Sequence, residues 1–178
     1  GFGKVMNSLE VLELSYNKLQ GKIPSFFGNM CTLQRLYLSN NKLNGEFSSF
    51  FQNSSWCNRH IFKRLDLSYN QISGMVPETI GLLSELEHLY LAGNSLEGDV
   101  TESHLSNFSK LENLDLSENS LSLKFVANWV PPFQLDHWDS DLASWAPLFL
   151  VCSRLKVICM SWIFLITGLM TLYQTSTL

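Results

Sequence analysis

The chain has 178 residues, of which 46% are hydrophobic and 16% charged, a composition that suits one globular domain of ordinary size. Its formal net charge of −4 offers no basic face, which argues against nucleic acid as a partner. All sixteen acidic residues and ten of the twelve Lys and Arg lie within residues 1–141, whereas residues 142–178 carry only Arg154 and Lys156. A body of net −6 is thus followed by a tail of net +2, and a boundary is expected between them.

The chain opens on Gly1 rather than Met. It shows no basic stretch followed by an apolar run near its start, so the beginning reads as a truncation without a signal peptide. Five segments then align with one another, beginning at Leu9, Leu33, Phe62, Leu86 and Leu111, with starts 24, 29, 24 and 25 residues apart. Each fits LxxLxLxxNxLxG followed by an apolar site, allowing Phe62 at the first site and Ile72 at the leucine site after the asparagine, and the last has Leu123 in place of the glycine. Self-similarity of this period predicts a solenoid, in which no coil buries its apolar face without neighbours.

In each unit the paired leucines lie two apart and share one side of a short strand. Leu12/Leu14, Leu36/Leu38, Leu65/Leu67, Leu89/Leu91 and Leu114/Leu116 are therefore expected to point inward. Three residues on, Asn17, Asn41, Asn70, Asn94 and Asn119 fall where the chain must turn. An inward amide there can satisfy backbone groups that the turn leaves unpaired, and stacked coils would make these residues a ladder. Leu19, Leu43, Ile72, Leu96 and Leu121 are expected to fill the core behind it. Gly21, Gly45, Gly74 and Gly98 permit a tight bend or a positive φ, and Pro24 and Pro77 follow where no ladder N–H is needed.

The 29-residue spacing reflects an insertion, Ser48–Ile61, expected as a loop on the convex or lateral face, either a contact loop or a tolerated surface excursion. It carries the sequon at Asn53, and a second sequon starts at Asn107; both permit N-glycosylation in a secreted chain. Four cysteines are too few and too scattered for a disulfide scaffold. Cys31 and Cys57 fall in adjacent coils, and three readings stay open: a disulfide, small buried apolar groups, or free thiols.

Phe133–Leu135 begins a sixth unit whose next core sites hold Trp138 and Ser140 among Asp136, Asp139 and Asp141, so the repeat is expected to end near Leu135. Residues 136–178 then form an aberrant tail, irregular or helical. Its uncharged run Val157–Tyr173 is at the lower limit for a membrane helix. Thr167 and Gly168 interrupt that run, and its only basic flank, Arg154 and Lys156, is N-terminal, which would put the repeats in the cytosol. A competing reading is translation out of frame, since a shifted frame permits another leucine strand and asparagine turn from Met160 onward. Sequencing the gene across codons 134–142 separates the two.

No catalytic or metal motif is present: no HExxH, CxxC, GxSxG, Walker loop or dinucleotide-binding glycine pattern, and His60, His88, His104 and His137 are isolated. No enzyme, cofactor or metal is therefore expected. What remains is the outward face of the strands, in three columns. Glu13, Tyr37, Asp66, Tyr90 and Asp115 form one; Val11, Arg35, Arg64, His88 and Asn113 a second; Tyr16, Asn40, Tyr69, Gly93 and Glu118 a third. Aromatic and charged groups interleaved on a rigid sheet suit peptide or protein recognition. The candidate ligand-binding residues are Glu13, Arg35, Tyr37, Arg64, Asp66, Tyr69, His88, Tyr90, Asn113 and Asp115. The competing reading is a merely solvated sheet face.

The unit LxxLxLSxNxLxGxIP resembles the plant-type extracellular leucine-rich repeat. The segments CNRHIFKRLDLSYNQISG, LAGNSLEGDVTESHLSNFSKL and SLKFVANWVPPFQL resemble plant receptor-like proteins of the fungal-elicitor and Cf resistance type, over roughly residues 4–135. The resemblance implies an α/β-type solenoid with short parallel strands on its concave face. It further implies a non-enzymatic ectodomain that binds a peptide or protein ligand in defence or development signalling, on the outer face of the plasma membrane, with a partner kinase. The alternatives are a short single-pass membrane-anchored repeat protein, and a truncated receptor kinase or non-functional gene product.

Overall fold

The computed structural model describes residues 8–51, 56–126 and 128–135, together with the backbone of 137–139. Asn53 and the tail run Val157–Tyr173 lie outside the described residues, as does the tail's expected irregular or helical form. Among the described residues the chain winds as a solenoid with a parallel sheet on each of two faces.

The inner sheet joins β1 (Val11–Glu13), β3 (Arg35–Tyr37), β5 (Arg64–Asp66), β7 (His88–Tyr90), β9 (Asn113–Asp115) and β11 (His137–Asp139) in that order. Register is kept from coil to coil, with Leu12 opposite Leu36, Leu36 opposite Leu65, Leu65 opposite Leu89 and Leu89 opposite Leu114. The backbone of His137–Asp139 pairs next, placing Trp138 opposite Leu114, since strand pairing is made by backbone groups and tolerates an unusual side-chain set.

The repeat glycines do more than turn the chain. They lie in or beside a second sheet, ordered β10 (Ser120–Lys124), β8 (Ser95–Thr101), β6 (Gln71–Gly74), β4 (Lys42–Glu46) and β2 (Gln20–Gly21). Gly21, Gly45, Gly74 and Gly98 all have positive φ, from 82° to 89°, a region that favours glycine. Each faces the core residue of the next coil: Leu43, Ile72, Leu96 and Leu121 in turn. The second sheet is thus staggered by two residues per coil, an even step that keeps inward residues inward. Gly45 shows the steric need as well, since a Cβ there would lie 2.9 Å from Lys22 Cγ.

The helical side is spare. Among the described residues it consists of 3-10 turns at Ser25–Asn29, Phe47–Phe51 and Glu78–Leu82, and one short α-helix, α1 (Glu102–Leu105). Pro24 and Pro77 stand at the N-termini of two of these turns with extended ψ, where an absent N–H costs nothing. His104, one of the histidines read as isolated, is buried. Its Nδ1 accepts the Thr101 N–H at 3.0 Å, so Nε2 carries the proton and donates to Val76 O at 3.0 Å. That bond ties α1 to the coil before it.

Between the two sheets and the turns runs one core. Leu33, Leu36, Leu65, Leu67, Phe47, Phe50, Leu83, Leu86 and Phe108 are fully buried. Leu19 departs from its expected core place: it is 36% exposed, in the first coil of the described residues.

The insertion is not a plain surface loop. Phe50 and Trp56 are buried and pack edge to face at 4.8 Å. The Trp56 indole lies over Gly28, where a Cβ would come within 2.1 Å of Nε1. Asn58, fully buried, donates to Phe27 O at 3.0 Å and Leu33 O at 3.3 Å of the preceding coil. Cys31 and Cys57 form a disulfide with Cα atoms 5.0 Å apart, which closes the question left open at the sequence. The inserted residues therefore cap the side of the previous coil's turn.

Candidate functional site

The strand alternation that turns leucines inward turns their neighbours out. One outward row runs Val11, Arg35, Arg64, His88, Asn113, and the next runs Glu13, Tyr37, Asp66, Tyr90, Asp115, each residue opposite its equivalent.

At the centre, the Arg64 guanidinium lies between two rings. Its Cζ is 5.0 Å from the Tyr37 ring centre and 4.7 Å from that of Tyr90. The three residues come from consecutive coils, and the short Asp66 at the middle of the tyrosine row leaves the space between the rings. Cation–π attraction holds such a stack. Arg64 Nε is buried without an acceptor, and neither Arg35 nor Arg64 forms an ion pair among the described residues. Nearby Lys63, by contrast, pairs with Glu87 at 2.9 Å.

His88 extends this group. Its ring lies nearly parallel to Tyr90, 12° between planes with centres 6.4 Å apart. The Asn113 amide meets its Nδ1 at 2.9 Å, and Nε2 is 4.0 Å from a Glu112 carboxylate oxygen. Burial pushes the His88 pKa below the ordinary value and Arg64 adds to this, while Glu112 and Glu87 oppose it. Burial also raises the Tyr90 pKa, against the pull of Arg64.

The acidic members of the row are directed elsewhere. Glu13 accepts the Ser15 N–H at 2.8 Å. Asp66 accepts the Ser68 N–H at 3.2 Å and the Ser68 hydroxyl. Asp115 accepts the Ser117 N–H at 3.0 Å and its hydroxyl at 2.7 Å. In these three coils the carboxylate oxygens cap the turn that follows their strand, while the charges of Asp66 and Asp115 still act on Tyr90.

The third column is not strand surface. Tyr16, Asn40, Tyr69 and Glu118 have φ between 51° and 56°, and Gly93 has 63°. They form a left-handed turn in every coil, at the edge of the sheet. Tyr69 lies there, with its ring against Gly93 and its hydroxyl donating to Glu118 at 3.4 Å. It is therefore set apart from the Tyr37–Arg64–Tyr90 group with which the sequence had joined it.

Below the turn the asparagines hold successive coils. Asn70 Nδ2 donates to Leu67 O at 3.0 Å and Ser68 O at 3.1 Å in its own coil, and to Leu38 O at 3.0 Å in the coil before. Its Oδ1 accepts the Leu43 N–H at 3.0 Å. Asn41, Asn94 and Asn119 repeat the pattern toward Leu14, Leu67 and Leu91. Among the described residues Asn17 donates only to Leu14 O and Ser15 O of its own turn. Asn107 is exposed at the turn after α1.

Three features were missed at the sequence: the stacked Arg64, the buried His104 and the aromatic seal of the insertion. Tyr37 and Tyr90 flanking the coil of Arg64 were the signal for the first. Among the described residues no group of His, Cys, Asp or Glu is placed to hold a metal ion, and no helix is long and apolar enough to cross a membrane.

An inner parallel sheet in register, a second, staggered one, an asparagine ladder and one continuous hydrophobic core define a leucine-rich-repeat solenoid. Family models described as leucine rich repeat match residues 1–45 and 62–83. The chain is 68% identical over 40 residues to receptor-like protein EIX1 of Solanum lycopersicum, covering 22% of this chain and 4% of that protein. It is 38% identical over 68 residues to receptor-like protein CLAVATA2 of Arabidopsis thaliana, covering 38% and 9%. Among solved structures it is similar to the Arabidopsis receptor kinase HAESA in complex with the peptide hormone IDA and the co-receptor SERK1. That match has a TM-score of 0.58 at 34% identity, over 68% of this chain and 19% of that one. The repeats are accordingly similar to those of plant receptor-like proteins and receptor ectodomains. The chain spans about a tenth or less of the length of the curated relatives it matches.

Proposed function

We propose that the chain is a non-enzymatic recognition module whose inner sheet binds a peptide or protein ligand in plant defence or development signalling. The observation that carries this reading is the Tyr37–Arg64–Tyr90 stack, a partly exposed aromatic and cationic cluster on a rigid parallel sheet. Tyr and Arg are the residue types that dominate binding energy at protein interfaces. Similarity to ectodomains solved with peptide hormones and with co-receptors supports the kind of partner: an extracellular peptide or protein, with a co-receptor kinase completing the signal. Placement at the outer face of the plasma membrane and N-glycosylation at Asn107 belong to the same proposal, supported by the receptor-like relatives and the exposure of that sequon.

The test is panning of a random peptide library against the full chain. Peptides should be captured by the wild type and by a convex-side control, Thr79→Ala. The double variant Tyr37→Ala/Tyr90→Ala should lose them while keeping its folded circular-dichroism spectrum. Capture that survives both tyrosine changes would refute binding through this face.

A further inference from the structure

We infer that the second sheet is a self-association surface, on which two copies of this chain pair face to face about a two-fold axis. The basic first two coils of each copy meet the acidic fourth coil of the other. The inference stands apart from ligand binding by the inner sheet, which is a different face of each coil.

Alternation along the second sheet turns Leu43, Ile72 and Leu96 inward and their neighbours out. The outward charges sort along the stack. Lys18 and Lys22 in the first coil and Lys42 in the second are all exposed, and Lys42 lies opposite Gln20, between the other two. A residue opposite on the next strand is about 5 Å away and one two places along about 7 Å away, so three lysines surround Gln20. The third coil carries no charge on this face, and the fourth carries Glu97 and Asp99, both exposed.

Ion pairing divides the lysines in the same way. Lys63, Lys110 and Lys124, in the later coils, each pair with a carboxylate. Among the described residues Lys18, Lys22 and Lys42 form no ion pair, and neither does Glu97. Glu46, beside these lysines, accepts the Ser48 hydroxyl at 3.4 Å instead. Asp99 meets Lys124 at 2.8 Å, but both side chains are exposed, and such a surface pair contributes little and is readily exchanged. A net-acidic chain thus presents three unneutralised lysines at one end of a sheet and their complement at the other.

The face is also shallow. Lys22 and Met75 lie across Gly45 and Gly98 of the next coil, where a Cβ would come within 2.9 and 3.0 Å of them. Side chains laid over glycine raise no ridge, which lets one sheet pack on another at about 10 Å. Met75, 65% exposed in the uncharged coil, offers an adaptable apolar contact between the two charged ends. Copies laid in the same direction would set lysine on lysine. A two-fold pairing sets basic on acidic twice, because an isologous contact makes each interaction reciprocal. Five short strands give a footprint well below the about 800 Å² per partner of a standard interface, so the pairing is weak, reversible and governed by charge.

The test is sedimentation equilibrium of the full chain at two ionic strengths. The wild type should form a concentration-dependent dimer at about 0.02 M salt that dissociates at about 0.5 M, where screening is strong. Lys22→Glu/Lys42→Glu and, separately, Glu97→Lys/Asp99→Lys should each weaken the dimer by roughly 10-fold or more, since each sets like charges across the contact. An equimolar mixture of the two variants should restore wild-type association, because a mainly acidic face then meets a mainly basic one. A variant that had merely failed to fold would not be rescued in this way. Carbodiimide cross-linking of mixed isotopically light and heavy wild type should join Lys22 or Lys42 of one copy to Glu97 of another. A monomer at every concentration in low salt, a dimer that high salt leaves intact, or a mixture that associates no better than its components would overturn the proposal. Peptide capture by the inner sheet is read separately from all of these, so the two readings fail independently.

Discussion

An asparagine in the ladder serves two coils with one amide, and the first in the series serves one. Asn70 accepts the Leu43 N–H and donates to Leu38 O in the preceding coil as well as to its own turn. Among the described residues Asn17 makes only the two bonds of its own turn, and it is exposed. Removing a partner from buried backbone groups costs about 1–3 kcal/mol for each group left unpaired. Asn70→Ala should therefore lower unfolding free energy by roughly 2–4 kcal/mol and Asn17→Ala by less than about 1 kcal/mol. Urea denaturation monitored by circular dichroism reads both, and equal costs would show that inter-coil bonding is not what the ladder contributes. His88 gives a pH dependence with a definite sign. Its pKa is lowered by burial and by Arg64, so between its folded and unfolded pKa values the unfolded chain binds more protons. Its contribution to stability is complete above the ordinary value of 6.5 and declines as pH falls below it. His88→Gln should flatten the fall in stability on acidification below that value, as measured by the denaturation midpoint across pH. An unchanged slope would assign the acid sensitivity elsewhere.

At the level of elements, legibility followed the range of the interaction. Leu36 and Leu38, or Asn41 three residues later, are set by a local period that recurs in every coil, so their positions were readable. The pairing of Gly45 with Ile72 was not, because a stagger between strands 27 residues apart leaves no local mark. The insertion was misjudged for the same reason. Phe50, Trp56 and Asn58 look like loop residues until Gly28 of the previous coil is brought against them. The stack of Arg64 between Tyr37 and Tyr90 joins three coils, and alignment by columns listed its members without showing that they meet. The insertion's role as a seal has a consequence. The Cys31–Cys57 disulfide closes a loop with a sequence separation of 26, and a loop of that size is worth about 3 kcal/mol. Cys31→Ser/Cys57→Ser should lose that order of stability, with proteolytic nicking appearing first between residues 48 and 61. Gly28→Ala should mimic the local opening with the disulfide intact, because the new Cβ collides with Trp56 Nε1. Should the double serine variant resist proteases as well as the wild type, the buried aromatic contacts alone hold the insertion.

Over the whole molecule, stability in a stack of coils is a sum of terms between neighbours. The coils differ sharply in what covers them. Leu65 and Leu67 are fully buried, whereas Leu12 and Leu14 are only half-buried and Leu19 is largely exposed. Opening should therefore start at the first coil and reach the centre last. Hydrogen exchange tests this cleanly because the bonds themselves are alike. The Leu14 N–H meets Tyr37 O at 2.9 Å, and the Leu67 N–H meets Tyr90 O at 2.9 Å. Bond length cannot separate them, so slower exchange at Leu67 than at Leu14 would report coil position alone, and equal rates would show that the coils open as one unit. The Tyr37–Arg64–Tyr90 stack belongs to coils two to four, away from that weak edge. Leu14→Ala should then fray the first coil while leaving capture of peptides by Tyr37 and Tyr90 intact. Leu65→Ala opens a cavity directly beneath Arg64 and Asp66, costs about 2–5 kcal/mol, and should weaken capture along with stability. If Leu14→Ala abolishes capture as completely as Leu65→Ala does, the binding surface extends onto the first coil and includes Glu13.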